Sequence, residues 1–69
     1  VRVHFISIGG AVMHNMAIAL HKKGYQVTGT DDEIYEPALS RLKSYGLLPH
    51  TFGWQPELIT PDIDAIILG

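Results

Sequence analysis

The sequence contains no cysteine. No disulfide staples it, and no thiolate is available to hold zinc. Basic residues are not in excess: five Lys and Arg stand against seven Asp and Glu, a formal net charge of −2. Nucleic-acid-binding surfaces are usually basic, so that partner class is set aside. No apolar run approaches the roughly 20 residues that span a bilayer, which leaves no membrane partner. Val1-Arg2-Val3-His4-Phe5 lacks the basic start and long apolar core of a signal peptide. No Gly-Lys-Ser/Thr sequence is present, hence no P-loop. The lack of cysteine fits a reducing compartment, and the chain reads as cytoplasmic.

What is present is short. The 69 residues allow one small domain at most. At 46% hydrophobic and 17% charged, the chain is too apolar to be disordered by composition. Apolar burial is worth on the order of 100 kcal/mol at this size, and ordering the chain costs about the same. A free-standing fold is therefore marginal, and the expectation is part of a larger domain.

The pattern along the chain is strand, helix, strand, helix, strand, turn, strand. Val3 to Ile8 is β-rich and mostly apolar on both faces, as in a buried parallel strand. Val3, Phe5 and Ser7 share one face; His4, Ile6 and Ile8 share the other. Met13, Met16, Ala17 and Leu20 fall at helical spacing within Ala11 to Lys23, and Gly24 suits the position after the helix. Tyr25 to Thr30 reads as a second strand. Pro37 suits the start of a second helix carrying Ala38, Leu39, Leu42 and Tyr45, with Gly46 closing it. Leu48, His50 and Phe52 alternate, but Pro49 limits any strand there to a short or edge one. Gln55 to Ile59 suggests one helical turn. Ala65 to Leu68 reads as a final buried strand. The alternation predicts an α/β fold, a Rossmann-like parallel sheet with flanking helices, truncated.

Chemistry concentrates at the first strand–helix turn, Ser7-Ile8-Gly9-Gly10-Ala11-Val12-Met13. Glycines there let backbone approach a ligand, and a helix N-terminus favours phosphate. Asp31 lies 22 positions after Gly9 at the end of the second strand. A carboxylate at that place bonds a ribose hydroxyl in nucleotide-binding α/β folds. The dinucleotide fingerprint G-x-G-x-x-G is not met, because Ser7 and Val12 stand at its first and third glycines. The bland alternative is a tight turn at Gly9-Gly10 with Asp31 capping a loop. His4, His14, His21 and His50 have no metal-site spacing, so no metal is expected. Asp31-Asp32-Glu33 reads as solvated carboxylates rather than a Mg²⁺ site. Trp54 either stacks on a base or covers the edge of the core. No catalytic residue is expected in this chain.

Val3-His4-Phe5-Ile6-Ser7-Ile8-Gly9-Gly10-Ala11-Val12-Met13 resembles the N-terminal motif I-H-F-I-G-I-G-G-x-G-M of Mur ligases. Gly24-Tyr25-Gln26-Val27-Thr28-Gly29-Thr30-Asp31 resembles their second strand, G-x-x-V-x-G-S-D. The resemblance continues through Leu42 and Gly46 to the closing strand. Ser7 and Val12 depart from the usual glycines. The bulky Val12 and Tyr35-x-Pro37 are more similar to the family member of peptidoglycan recycling than to the one that adds L-alanine.

The resemblance implies that residues 1–69 are part of the N-terminal UDP-sugar-binding domain of a multidomain bacterial ligase. Ile8, Gly9, Gly10, Ala11, Val12 and Met13 would wrap the diphosphate and sugar of UDP-N-acetylmuramic acid or its peptide. Asp31 would bond the uridine, with Thr30 and Asp32 beside it. No cofactor is expected here. ATP and Mg²⁺ would belong to a central domain, and a C-terminal domain would help bind the amino component. Two alternatives stay open: an NAD-binding domain of an oxidoreductase, and a non-catalytic α/β interaction domain.

Overall fold

Apolar side chains on both faces of the first strand, β1 (Arg2–Ile6), place it at the centre of the sheet. The computed structural model describes residues 1–69. Helix α1 (Ala11–Lys22) follows, then β2 (Gln26–Thr30), α2 (Ala38–Ser44), a single 3-10 turn at Pro56–Leu58, and β3 (Ala65–Leu68). The sheet is parallel with order β2-β1-β3. Val3 pairs with Val27 on one side and Ala65 on the other; Phe5 pairs with Gly29 and Ile67. The α/β architecture expected from the alternation is present.

One buried cluster holds the layers together. It joins Val3 and Phe5 of β1, Ala17 and Ile18 of α1, Ala38 and Leu42 of α2, and the connecting residues Ile8, Ile34 and Leu47. Met13 and Leu20 of α1 are only half-buried, and Met16 is exposed. The buried stripe of α1 is therefore turned toward His14, Ala17 and Ile18. The cause is α2, which packs alongside and takes His14 as a partner. At the far end of the same helix pair, Lys22 lies over the Tyr45 ring at 5.2 Å. Gly24 and Gly46 follow their helices at φ +95° and +72°, as their sequence positions predict.

Three expectations are corrected. First, β1 ends at Ile6, and Ser7 takes a left-handed φ of 70°. That twist breaks the strand alternation, so Ile8 joins the Phe5 side instead of the His4 side. There it covers Gly29, where an added Cβ would sit 2.5 Å from Ile8 Cδ1. Second, Leu47 to Trp54 forms no strand. Pro49 has no N–H for a ladder, and the segment is tied elsewhere: Leu47 N–H to the Leu42 carbonyl, and Gly53 N–H to that of Asp31, both at 2.9 Å. Third, β3 is an edge strand and not a buried one, with Ile66 and Leu68 exposed. Ala65 and Ile67 take the Val3 and Phe5 side, and no helix of these residues lies over Ile66 and Leu68. The helical turn expected at Gln55 to Ile59 is present as Pro56–Leu58.

Candidate functional site

The carboxyl ends of the parallel strands and the start of α1 converge on one edge of the sheet. The turn after β1 is fixed by backbone bonds. The N–H groups of Ser7 and Ile8 both donate to the Thr30 carbonyl, at 2.9 and 3.0 Å. Gly10 N–H donates to the Ser7 carbonyl at 3.1 Å. This folds the turn over the end of β2 and brings Asp31 to it.

Asp31 then closes the connection with its side chain. Its Oδ2 accepts from Gly9 N–H and its Oδ1 from Asp32 N–H, each at 2.8 Å. The turn and the carboxylate that the sequence pairs by spacing are thus bonded to one another. Two bonds leave about two lone-pair directions of the carboxylate free.

The start of α1 supplies the opposite polarity. The N–H groups of Ala11, Val12 and Met13 find no carbonyl or side-chain acceptor in the chain. No acidic residue stands in that first turn. Unpaired amides at the positive end of a helix macrodipole attract anions, phosphate above all. Gly9 and Gly10 contribute space rather than donors, since their own N–H groups are occupied.

The nine residues expected at the site are not equivalent. Ala11, Val12, Met13, Gly9, Gly10 and Asp31 come together as described. Thr30 is buried, and its carbonyl anchors the turn. Asp32 is exposed beside Asp31. Ile8 is placed in the core at 0% exposure, so its side chain packs the turn and does not reach a ligand.

Two further residues lie at the site, Gly69, which was not anticipated, and Trp54, which was a candidate. Gly69 follows β3, donates to the Ile6 carbonyl at 3.0 Å, and lies so near Ser7 and Met13 that a Cβ would meet them at 2.9 and 3.0 Å. No sequence signal marks it. Trp54 is 65% exposed, so it does not cover the core edge. It lines a cavity of about 120 Å³ with Thr30, Asp31, Asp32 and Ser7.

A second cavity, about 360 Å³, opens between the first turns of α1 and α2. His14, Arg41, Glu33, Tyr35 and Glu36 line it. The Ser40 hydroxyl and N–H both donate to the Glu36 carboxylate and hold it below its ordinary range. Tyr35 donates to Glu33, and that bond together with the Glu33 charge raises the phenol. His4, on the other face of β1, is fully buried and bonds the Thr28 hydroxyl through Nδ1 at 2.8 Å. Burial pushes its ring below the ordinary imidazole range.

The family model described as "Mur ligase family, catalytic domain" matches residues 2–53. A UDP-N-acetylmuramate–L-alanine ligase of Lachnoclostridium phytofermentans is 39% identical over 67 residues, covering 97% of this chain and 14% of that protein. The UDP-N-acetylmuramate–L-alanyl-gamma-D-glutamyl-meso-2,6-diaminoheptandioate ligase of Escherichia coli K12 is 29% identical over 68 residues, covering 99% and 15%. A UDP-N-acetylmuramate–L-alanine ligase of Streptococcus pyogenes is 36% identical over 64 residues, covering 93% and 14%. The chain thus spans about one-seventh of the length of these relatives. Both kinds of member appear, and those named as L-alanine ligases stand at the higher identity, 39% and 36% against 29%. No solved structure matches. With the family model covering most of its length, the chain belongs to the Mur ligase family.

Proposed function

We propose that these residues anchor the UDP portion of a UDP-N-acetylmuramate substrate in an ATP-dependent ligase of the bacterial cell wall. The observation that carries the reading is the pairing of opposite polarities at one sheet edge. Free amides of Ala11, Val12 and Met13 suit a diphosphate. The Asp31 carboxylate, pinned to Gly9, suits the ribose. The words UDP-N-acetylmuramate are common to the names of both kinds of relative, and both halves of that chemistry have a place here. The role is positioning. Binding a remote, non-reacting part of the substrate holds its carboxylate where activation occurs.

The residues do not fit ATP with Mg²⁺. They include no Gly-Lys-Ser/Thr loop, and no three His, Asp or Glu side chains converge as a metal set. Activation of the carboxylate is therefore assigned to other parts of the ligase. No helix is long and apolar enough to cross a membrane. We extend the proposal to a bacterial cytoplasmic location, which the cysteine-free sequence fits.

The test is calorimetric titration with UDP-N-acetylmuramic acid and, separately, with NADH. Saturable binding of the UDP-sugar and none of NADH is expected. Binding of NADH alone would replace the reading with a dinucleotide-binding one. Binding of neither would leave an interaction domain.

A further inference from the structure

We infer that His14 is a positioning residue for the diphosphate, acting through the Gly10–Ala11 peptide. The inference rests on the proposed UDP reading and adds to it a residue that touches no ligand.

His14 is a polar side chain at 4% exposure. Its Nδ1 lies 2.9 Å from the Gly10 carbonyl, which already accepts the His14 backbone N–H at 2.9 Å. Its Nε2 lies 3.3 Å from the Arg41 guanidinium. An arginine only donates, so Nε2 is the acceptor and the proton of the neutral ring sits on Nδ1. Nδ1–H therefore donates to the Gly10 carbonyl. Arg41, brought alongside by α2, selects the tautomer that makes this bond possible.

The consequence lies in one peptide plane. The Gly10 carbonyl and the Ala11 N–H belong to the same planar unit and point in opposite directions. Two donors holding the carbonyl toward the body of α1 fix the Ala11 N–H in the opposite direction, away from the helix. A carbonyl that accepts hydrogen bonds also polarises its own amide and strengthens the N–H as a donor. Gly10 is the residue most in need of such a restraint, since glycine is the loosest backbone position. His14 thus supplies stiffness and aim to the first of the three free amides.

The helix itself offers a control. Asn15 Nδ2 donates to the Ala11 carbonyl at 2.9 Å, four residues back, so asparagine makes on this helix the bond that His14 makes to Gly10. His14→Asn keeps the donor, whereas His14→Leu keeps the apolar filling and removes it.

The experiment is titration of the full-length ligase that carries this chain, as wild type, His14→Leu and His14→Asn, with UDP and with phosphate-free uridine, with unfolding curves for each. His14→Leu is expected to weaken UDP about tenfold, the size of one lost hydrogen bond to a charged ligand's site, and to leave uridine unchanged. His14→Asn is expected to recover UDP binding to within about twofold. Nitrogen-15 NMR of the wild-type imidazole is expected to show the Nδ1–H tautomer. Equal UDP affinity in His14→Leu and wild type, or an Nε2–H ring, overturns this inference and leaves the UDP reading standing. A wild-type ligase that binds neither UDP nor uridine overturns the UDP reading, and this inference with it.

Discussion

The Asp31 carboxylate and the Gly9 amide meet at 2.8 Å, joining the end of β2 to the turn that opens α1. The approach is so close that a Cβ on Gly9 would lie 2.8 Å from Asp31 Oδ2 and equally near Ile34 Cγ1. Gly10 is different, since its nearest neighbour to an added Cβ is Met13 Cγ at 3.4 Å, an ordinary contact. Gly9→Ala is therefore expected to cost about 1–3 kcal/mol through overpacking. Gly10→Ala should cost less than about 1 kcal/mol, the size of a cap preference. Urea unfolding of the two variants checks the difference; equal costs would contradict the close approach at Gly9.

Asp31 serves the fold and the proposed ligand with the same carboxylate. Asp31→Ala leaves the Gly9 N–H without its partner, so about 1–3 kcal/mol of stability is expected to go with it. UDP affinity should fall about tenfold as the ribose contact is lost. Asp31→Asn keeps an oxygen for Gly9 N–H and should retain most of the stability while still weakening UDP. Denaturation and calorimetry on both variants separate the two roles. A folded Asp31→Asn with unchanged affinity would remove Asp31 from the ligand site.

Ser7 holds φ 70°, where a Cβ is unfavourable. Ser7→Gly relieves that strain and is expected to raise stability by about 1 kcal/mol, less what glycine loses in chain entropy. A β-branched Ser7→Val should do the reverse. Thermal or urea unfolding gives the sign, and a destabilised Ser7→Gly would refute the left-handed conformation.

His4 makes stability depend on pH. Burial holds its folded-state ionisation below the ordinary 6.5. The unfolded chain thus binds the proton first as pH falls. The stability from the neutral buried ring is complete above about pH 6.5 and is lost as pH falls toward the lowered folded value. Unfolding free energies measured between about pH 7 and 5 should fall for the wild-type chain and fall less for His4→Leu. Nε2 of His4 has no partner, so the apolar replacement strands no hydrogen bond at that atom. Parallel profiles for the two proteins would show that His4 is not the titrating group.

Much of this was legible from local pattern. The 3.6-residue spacing in Ala11 to Lys23, the glycines at 24 and 46 and the β-rich run at Val3 located α1, both helix ends and β1 within a residue or two. Asp31 and the Gly9-Gly10 turn were legible as candidates because residue type and position along a strand–helix–strand unit are both local facts. Burial of the final strand was not legible. Ala65 to Leu68 has the composition of a covered strand, but exposure is decided by what lies across it. The segment from Leu47 to Trp54 failed for a related reason. Its alternation is that of a strand, yet Pro49 and the hydrogen bonds of Leu47 and Gly53 take it elsewhere.

Elements and their ends follow from interactions within a few residues, and periodicity and turn chemistry suffice to locate them. The site does not. Gly9 meets Asp31 across 22 positions, and His14 meets Arg41 across 27. Such contacts depend on how the layers stack, and no local propensity encodes them. Spacing puts the turn and the carboxylate into one candidate site, and the fold bonds the one to the other. His14, whose place near the glycine turn suggests either a phosphate contact or a solvated side chain, is instead buried between the Gly10 carbonyl and Arg41.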